Sequence, residues 1–127
     1  MTQWAYLKGR FVPLEEASVN ILTNSFQYGV SAFEGIRGNW NAEEEQIYLF
    51  RVRDHYRRLH DNCRVLMTEI PPVEQLCDIT KELIRRSEYR EDCYIRPLAY
   101  KSSEMIGTWL HDLDSDFCAA VFPMGRH

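Results

Sequence analysis

The sequence predicts an α+β fold, a mostly antiparallel sheet with two helices packed on one face. Two segments alone carry apolar residues at helical spacing, Arg51 to Met67 and about Val73 to Ser87, and one follows directly on the other. Strand-like runs stand before and after this pair and do not alternate with it, which argues against a parallel α/β sheet. The runs that precede the helices are short and joined by tight polar connections, as antiparallel neighbours are.

Trp4 to Leu7 and Arg10 to Pro13 flank Lys8-Gly9 and read as an opening hairpin. Glu15-Glu16-Ala17 is polar and turn-like, and Val19 to Leu22 suits a further short extended piece. Thr23-Asn24-Ser25 can cap a single helical turn. Ser31 to Arg37 then alternates as a strand that ends at Gly38. Asn39 to Gln46, with Glu43-Glu44-Glu45, reads as a solvated hairpin tip leading into a strand from Gln46 to Phe50. In the first long helix Val52, Tyr56, Leu59, Cys63 and Leu66 lie at steps of four, three, four and three, which is one helix face. Pro71-Pro72 separates it from the second, whose stripe is Leu76, Ile79, Leu83 and Ile84. Cys93 to Lys101 is a strand, Ser102 to Ser115 a longer loop, and Asp116 to Met124 a final apolar strand.

One domain over residues 1–127 is expected, long enough to bury roughly two thirds of its unfolded surface. An apolar share of 45% and a charged share of 27% describe a globular chain rather than a disordered one. The net charge of −4 argues against a nucleic-acid-binding face. No basic-then-apolar leader follows Met1 and no apolar run is long enough for a bilayer, so no membrane partner is expected and the cytoplasm is the expected compartment. Cys63, Cys77, Cys93 and Cys118 match no zinc or redox spacing. Their places on helix faces and in strands favour reduced, buried thiols.

The stretch from Ser25 to Gly38 holds Gly29, Gly35 and Gly38 among Tyr28, Phe33, Glu34 and Arg37. Glycine there weakens regular structure and suits tight turns or close backbone approach. Apolar walls with a few orienting polar groups suit a small-molecule pocket, and a sheet edge with its aromatics in the core is the plainer alternative. Arg58 flanks the buried stripe beside Leu59. From there its fork of donors can reach a phosphate, or it can pair with Asp54 or Asp61 at ordinary helix spacing. Tyr94 and Arg96 are two apart in a strand and project together, a good receiver for a carboxylate or simply an exposed strand face. Pro97 follows and removes a ladder donor, so this strand should lie at an edge or carry an irregularity. His55 and His60 cannot share a metal at their spacing and read as surface or border residues. His111 with Asp112 and Asp114 makes only a weak metal motif, and no metal site is expected.

Three separated motifs occur in order: Phe26-Gln-Tyr-Gly with Phe33-Glu-Gly-Ile-Arg37, then Phe50-Arg with Arg58-Leu-His-Asp, then Tyr94-Ile-Arg-Pro97, with Phe122-Pro-Met-Gly125 near the end. Together they resemble the class IV aminotransferases, the fold-type IV pyridoxal-phosphate enzymes, and among these the branched-chain amino-acid aminotransferases. The resemblance covers the whole chain and implies the small N-terminal domain of such an enzyme. It assigns Arg58 to the phosphate of pyridoxal 5'-phosphate. Phe33, Gly35 and Arg37 would line the pocket for the substrate side chain. Tyr94 and Arg96 would handle carboxylates, and Tyr28 would reach the active site of a neighbouring subunit in a homo-oligomer. The implied reaction moves the amino group of leucine, isoleucine or valine to 2-oxoglutarate. The Tyr-x-Arg pair favours the branched-chain type over relatives acting on D-amino acids or on aminodeoxychorismate.

The sequence also departs from the family. His127 stands where the family commonly has a tyrosine. The cofactor-linking lysine, the glutamate that pairs with the pyridine nitrogen and the second phosphate loop lie further on in the family, in a larger C-terminal domain. Among Lys8, Lys81 and Lys101, only Lys101 is at all suitably placed, and its register is wrong. The resemblance therefore assigns no catalytic residue to this chain, and the 127 residues alone are expected to be inactive. A non-catalytic module that binds an acidic ligand through Arg58 and Arg96 is the alternative from another functional class.

Overall fold

The computed structural model describes residues 2–125; Met1, Arg126 and His127, the last set against a family tyrosine above, lie outside them. Seven strands form one sheet, β1 Trp4–Leu7, β2 Arg10–Pro13, β3 Ser31–Phe33, β4 Ile36–Asn41, β5 Gln46–Leu49, β6 Cys93–Lys101 and β7 Ser115–Pro123. The order is β2-β1-β7-β6-β4-β5, β3 pairs with β6, and every pairing is antiparallel. A short helix α1, Asn24–Tyr28, precedes β3, and α2, Val52–Val65, and α3, Val73–Ser87, pack together over one sheet face. This is the α+β architecture that the sequence predicts.

The opening hairpin turns on Lys8 and Gly9, both at positive φ, the two-residue loop whose twist suits antiparallel strands. α1 is the single turn expected after Thr23, and it stops at Gly29, whose φ of 74° a side chain would disfavour. Val19 to Leu22 is not extended as expected. The Asn20 side chain accepts from Leu22 N at 2.8 Å and its carbonyl accepts from Thr23 N at 2.9 Å, so turn chemistry overrides the β-branched residues. β4 runs past Gly38 to Asn41, which narrows the acidic hairpin tip to residues 42–45.

The strand expected over Ser31 to Arg37 is interrupted after Phe33. β3 and β4 nevertheless hold one register on β6, Phe33 opposite Leu98 and Ile36 opposite Ile95. Pro97 stands opposite the break. Its carbonyl accepts from Glu34 N at 3.2 Å, but it has no N–H to return. β6 itself is interior, between β7 on one side and β3 and β4 on the other, so the consequence of Pro97 is the irregularity and not an edge.

Strand alternation splits the sheet into two faces. Ile36, Ile95, Ala99, Phe117, Ala119 and Val121 meet Tyr56, Leu59 and Cys63 of α2 and Leu76 and Leu83 of α3 in one core. Tyr56 and Thr80, both fully buried, share a hydrogen bond between α2 and α3, and Thr80 Oγ1 also donates to Leu76 O at 2.8 Å. At this helix face Arg86 stacks 4.6 Å over Phe11 and 5.2 Å over Trp4, tying α3 to the hairpin.

Candidate functional site

The face away from the helices carries most of the predicted site. Phe33, Gly35 and Arg37 alternate along β3 and β4, and Tyr94 and Arg96 alternate along β6 opposite them. Two glycine-linked segments thus become one patch because they share a register.

Tyr94 and Arg96 do project together. Arg96 donates from Nη2 at 2.9 Å and Nε at 3.3 Å to Tyr94 Oη. Its guanidinium also lies 4.1 Å from the ring centre of Phe33, which is 54% exposed. Phe122 supports the Tyr94 ring at 5.3 Å. Gly35 gives the phenol its place: a Cβ there would stand 2.3 Å from Tyr94 Oη. Arg37 donates from Nε to Asn39 Oδ1 at 2.8 Å and faces Asp92 at 3.4 Å. Beside Arg96 a cavity of about 380 Å³ opens, walled by Leu7, Phe26, Leu98 and Tyr100. Tyr28, at the last turn of α1, is 41% exposed and borders none of these hydrogen bonds.

Arg58 lies at the other side of the strand break. It pairs with neither Asp54 nor Asp61. Asp54 takes Arg51 at 2.8 Å and Arg57 at 3.3 Å, and Asp61 takes Arg64 at 2.7 Å. Arg58 instead grips Glu34 with two donors, Nε to Oε2 at 2.9 Å and Nη2 to Oε1 at 2.7 Å. His55 Nδ1 is 2.7 Å from the same Oε1. Glu34 is 4% exposed, and burial pushes its carboxyl up. The hydrogen bonds and charges of Arg58 and His55 outweigh this and hold it below its ordinary value. Its carboxylate raises the Arg58 guanidinium further.

Sequence reasoning missed Glu34 and the pairing of His55. The available signals were the parity of Glu34 with Ile36, which aims it at the helices, and the three-residue spacing of His55 and Arg58, which puts them on one helix face.

The four cysteines are free thiols, and burial pushes Cys63, Cys93 and Cys118 up to about 11. His111 Nε2 faces Asp112 at 3.4 Å. Among the described residues no cluster of three His, Cys, Asp or Glu side chains is arranged to hold a metal, and no helix is long and apolar enough to cross a membrane.

No protein-family model matches the chain. The antiparallel sheet with two helices behind it is shared with solved branched-chain aminotransferases. The crystal structure of the branched-chain aminotransferase from the archaeon Thermoproteus uzoniensis, with norvaline, matches with a TM-score of 0.90 at 37% identity, over 99% of this chain and 42% of that one. The branched-chain amino acid aminotransferase from Thermobaculum terrenum, in its PLP-bound holo-form, matches with a TM-score of 0.82 at 32% identity, over 98% and 41%. The probable branched-chain-amino-acid aminotransferase of Aquifex aeolicus is 45% identical over 125 residues, 98% of this chain and 40% of that protein. The chain is thus homologous, over nearly all of its own length, to the branched-chain amino-acid aminotransferases. It spans about 40% of the length of the relatives it matches.

Proposed function

We propose that the chain is the small N-terminal domain of a branched-chain amino-acid aminotransferase that passes the amino group of leucine, isoleucine or valine to 2-oxoglutarate. The observation that carries this reading is the single sheet face holding Phe33, Gly35, Arg37, Tyr94 and Arg96 in register.

Pyridoxal 5'-phosphate fits the residues present. Arg58 uses two of its five N–H donors on Glu34 and keeps three, on a side chain 66% exposed, for a phosphate. When bound, the cofactor supplies the electron sink for the bonds at the substrate α-carbon. Phe33 offers an apolar wall for a branched side chain. Arg96, fixed by Tyr94 and stacked on Phe33, offers its remaining donors to the second carboxylate of the acidic substrate. Arg37 lines the same face, and Tyr28, which is exposed, would reach the pocket of a neighbouring subunit.

None of the three lysines faces this patch. Lys8 sits in the hairpin turn, Lys81 on α3, and Lys101 points to the helix side, where its buried Nζ donates to Met67 O. The 127-residue chain alone is therefore expected to lack transaminase activity. The chain is mixed with pyridoxal phosphate, reduced with borohydride and weighed. Unmodified mass and no turnover of leucine are expected; a stoichiometric single-site adduct with turnover would overturn the assignment.

A further inference from the structure

Glu34 is a buried carboxylate that neither strand pairing nor the core requires. It occupies the break between β3 and β4, opposite Pro97, and its parity sends the side chain toward α2. There His55 and Arg58, one helical turn apart, converge on it at 2.7 to 2.9 Å. The contacts of Arg58 and His55 outweigh the desolvation of this carboxylate, since its pKa is held down. The arrangement also fixes direction. Both donors used lie on one edge of the Arg58 fork, which leaves Nη1 aimed away from Glu34. The side chain borders a hollow of about 230 Å³ lined by Phe50, Arg51, Asp54 and His55. Arginine is otherwise a flexible side chain, and its fork recognises an oxyanion well only when held in one plane.

Resting on the reading of Arg58 above, we propose that Glu34, braced by His55, is a positioning residue that orients Arg58 for phosphate recognition. The carboxylate takes the inner edge of the guanidinium, and the outer edge is left in a fixed orientation for the anion. His55 Nδ1 donates to the oxygen that also receives Arg58 Nη2, so the carboxylate cannot rotate without breaking a second contact.

The test titrates inorganic phosphate into the unsubstituted chain and into Glu34→Gln, Glu34→Asp and Arg58→Ala. It follows the Arg58 Nε–H cross-peak by NMR, where Arg58 is retained, and backbone amides around residue 50 in all four. Urea unfolding runs in parallel. Glu34→Gln is expected to weaken phosphate binding about tenfold or more, to speed exchange of the Arg58 Nε–H, and to lower the unfolding midpoint only modestly, the variant staying folded through the titration. Glu34→Asp, which keeps the charge on a shorter stem, should recover part of the affinity. Arg58→Ala should abolish binding. Unchanged or tighter phosphate binding in Glu34→Gln, with Arg58→Ala still abolishing it, would overturn the positioning role and leave the reading of Arg58 intact. Binding in the unsubstituted chain that is absent, or that survives Arg58→Ala, would overturn both.

Discussion

The Tyr94 hydroxyl occupies the space that a side chain on Gly35 would fill, 2.3 Å from the ideal Cβ position. Gly35 has an ordinary backbone conformation, so this close approach is what excludes a larger residue. Gly35→Ala must move the tip of Tyr94, which can swing about its own side-chain bonds. The expected outcome is a folded protein, destabilised by about 1–3 kcal/mol, in which Arg96 has lost its contact to the phenol. Chemical denaturation gives the first quantity. The Tyr94 ring resonances give the second, and rings that stay in place would refute the account.

Much of this face was legible in the sequence because strand parity is a local property. Phe33, Gly35 and Arg37 had to share a side, as did Tyr94 and Arg96. That the two sets meet depends on the register of β4 against β6, which no residue in either segment announces. Pro97 foretold an irregularity, since a missing donor must disturb a ladder, but its place in an interior strand came from the whole sheet. Val19 to Leu22 reads as extended in the sequence, and the turn chemistry of Asn20 overrides that reading. The Arg58 pairing was hidden for another reason. Helix spacing offered Asp54 and Asp61, and only the packing of α2 on the sheet brings in Glu34.

Arg96 differs from Arg37 in having a hydrogen-bonded phenol and a stacked ring on the same face. In the full-length aminotransferase proposed above, Arg96→Ala should therefore penalise the acidic half-reaction. Loss of a charge-assisted contact predicts about 1.5–3 kcal/mol in kcat/KM for glutamate and 2-oxoglutarate, roughly tenfold to a hundredfold, with a smaller loss for leucine. Equal losses for leucine and glutamate would remove Arg96 from recognition of the distal carboxylate.

Lys101 provides a test of the helix side through pH. Its side chain is fully buried, and its Nζ donates to Met67 O and lies 3.4 Å from Ser115 Oγ. Burial holds its pKa below the ordinary lysine value, an effect that Cys63 and Glu69 partly oppose. In the window between the lowered folded value and about 10.4 in the unfolded chain, the unfolded state binds more protons. The Lys101 contribution to stability therefore rises with pH across that window. The thiols with raised pKa act in the opposite sense. Cys63, Cys93 and Cys118 are pushed up to about 11, above the unfolded range, so their contribution falls as pH rises toward that value. The unsubstituted protein should therefore lose stability in alkali less steeply than Lys101→Met, which keeps the three thiols and removes the lysine. Urea unfolding of both proteins from neutral pH into the alkaline range measures the difference. A stability gap, unsubstituted minus variant, that widens with pH is the expected result. A gap that narrows would mean that the buried site favours the charged amine, with the Met67 carbonyl and its neighbours outweighing the desolvation.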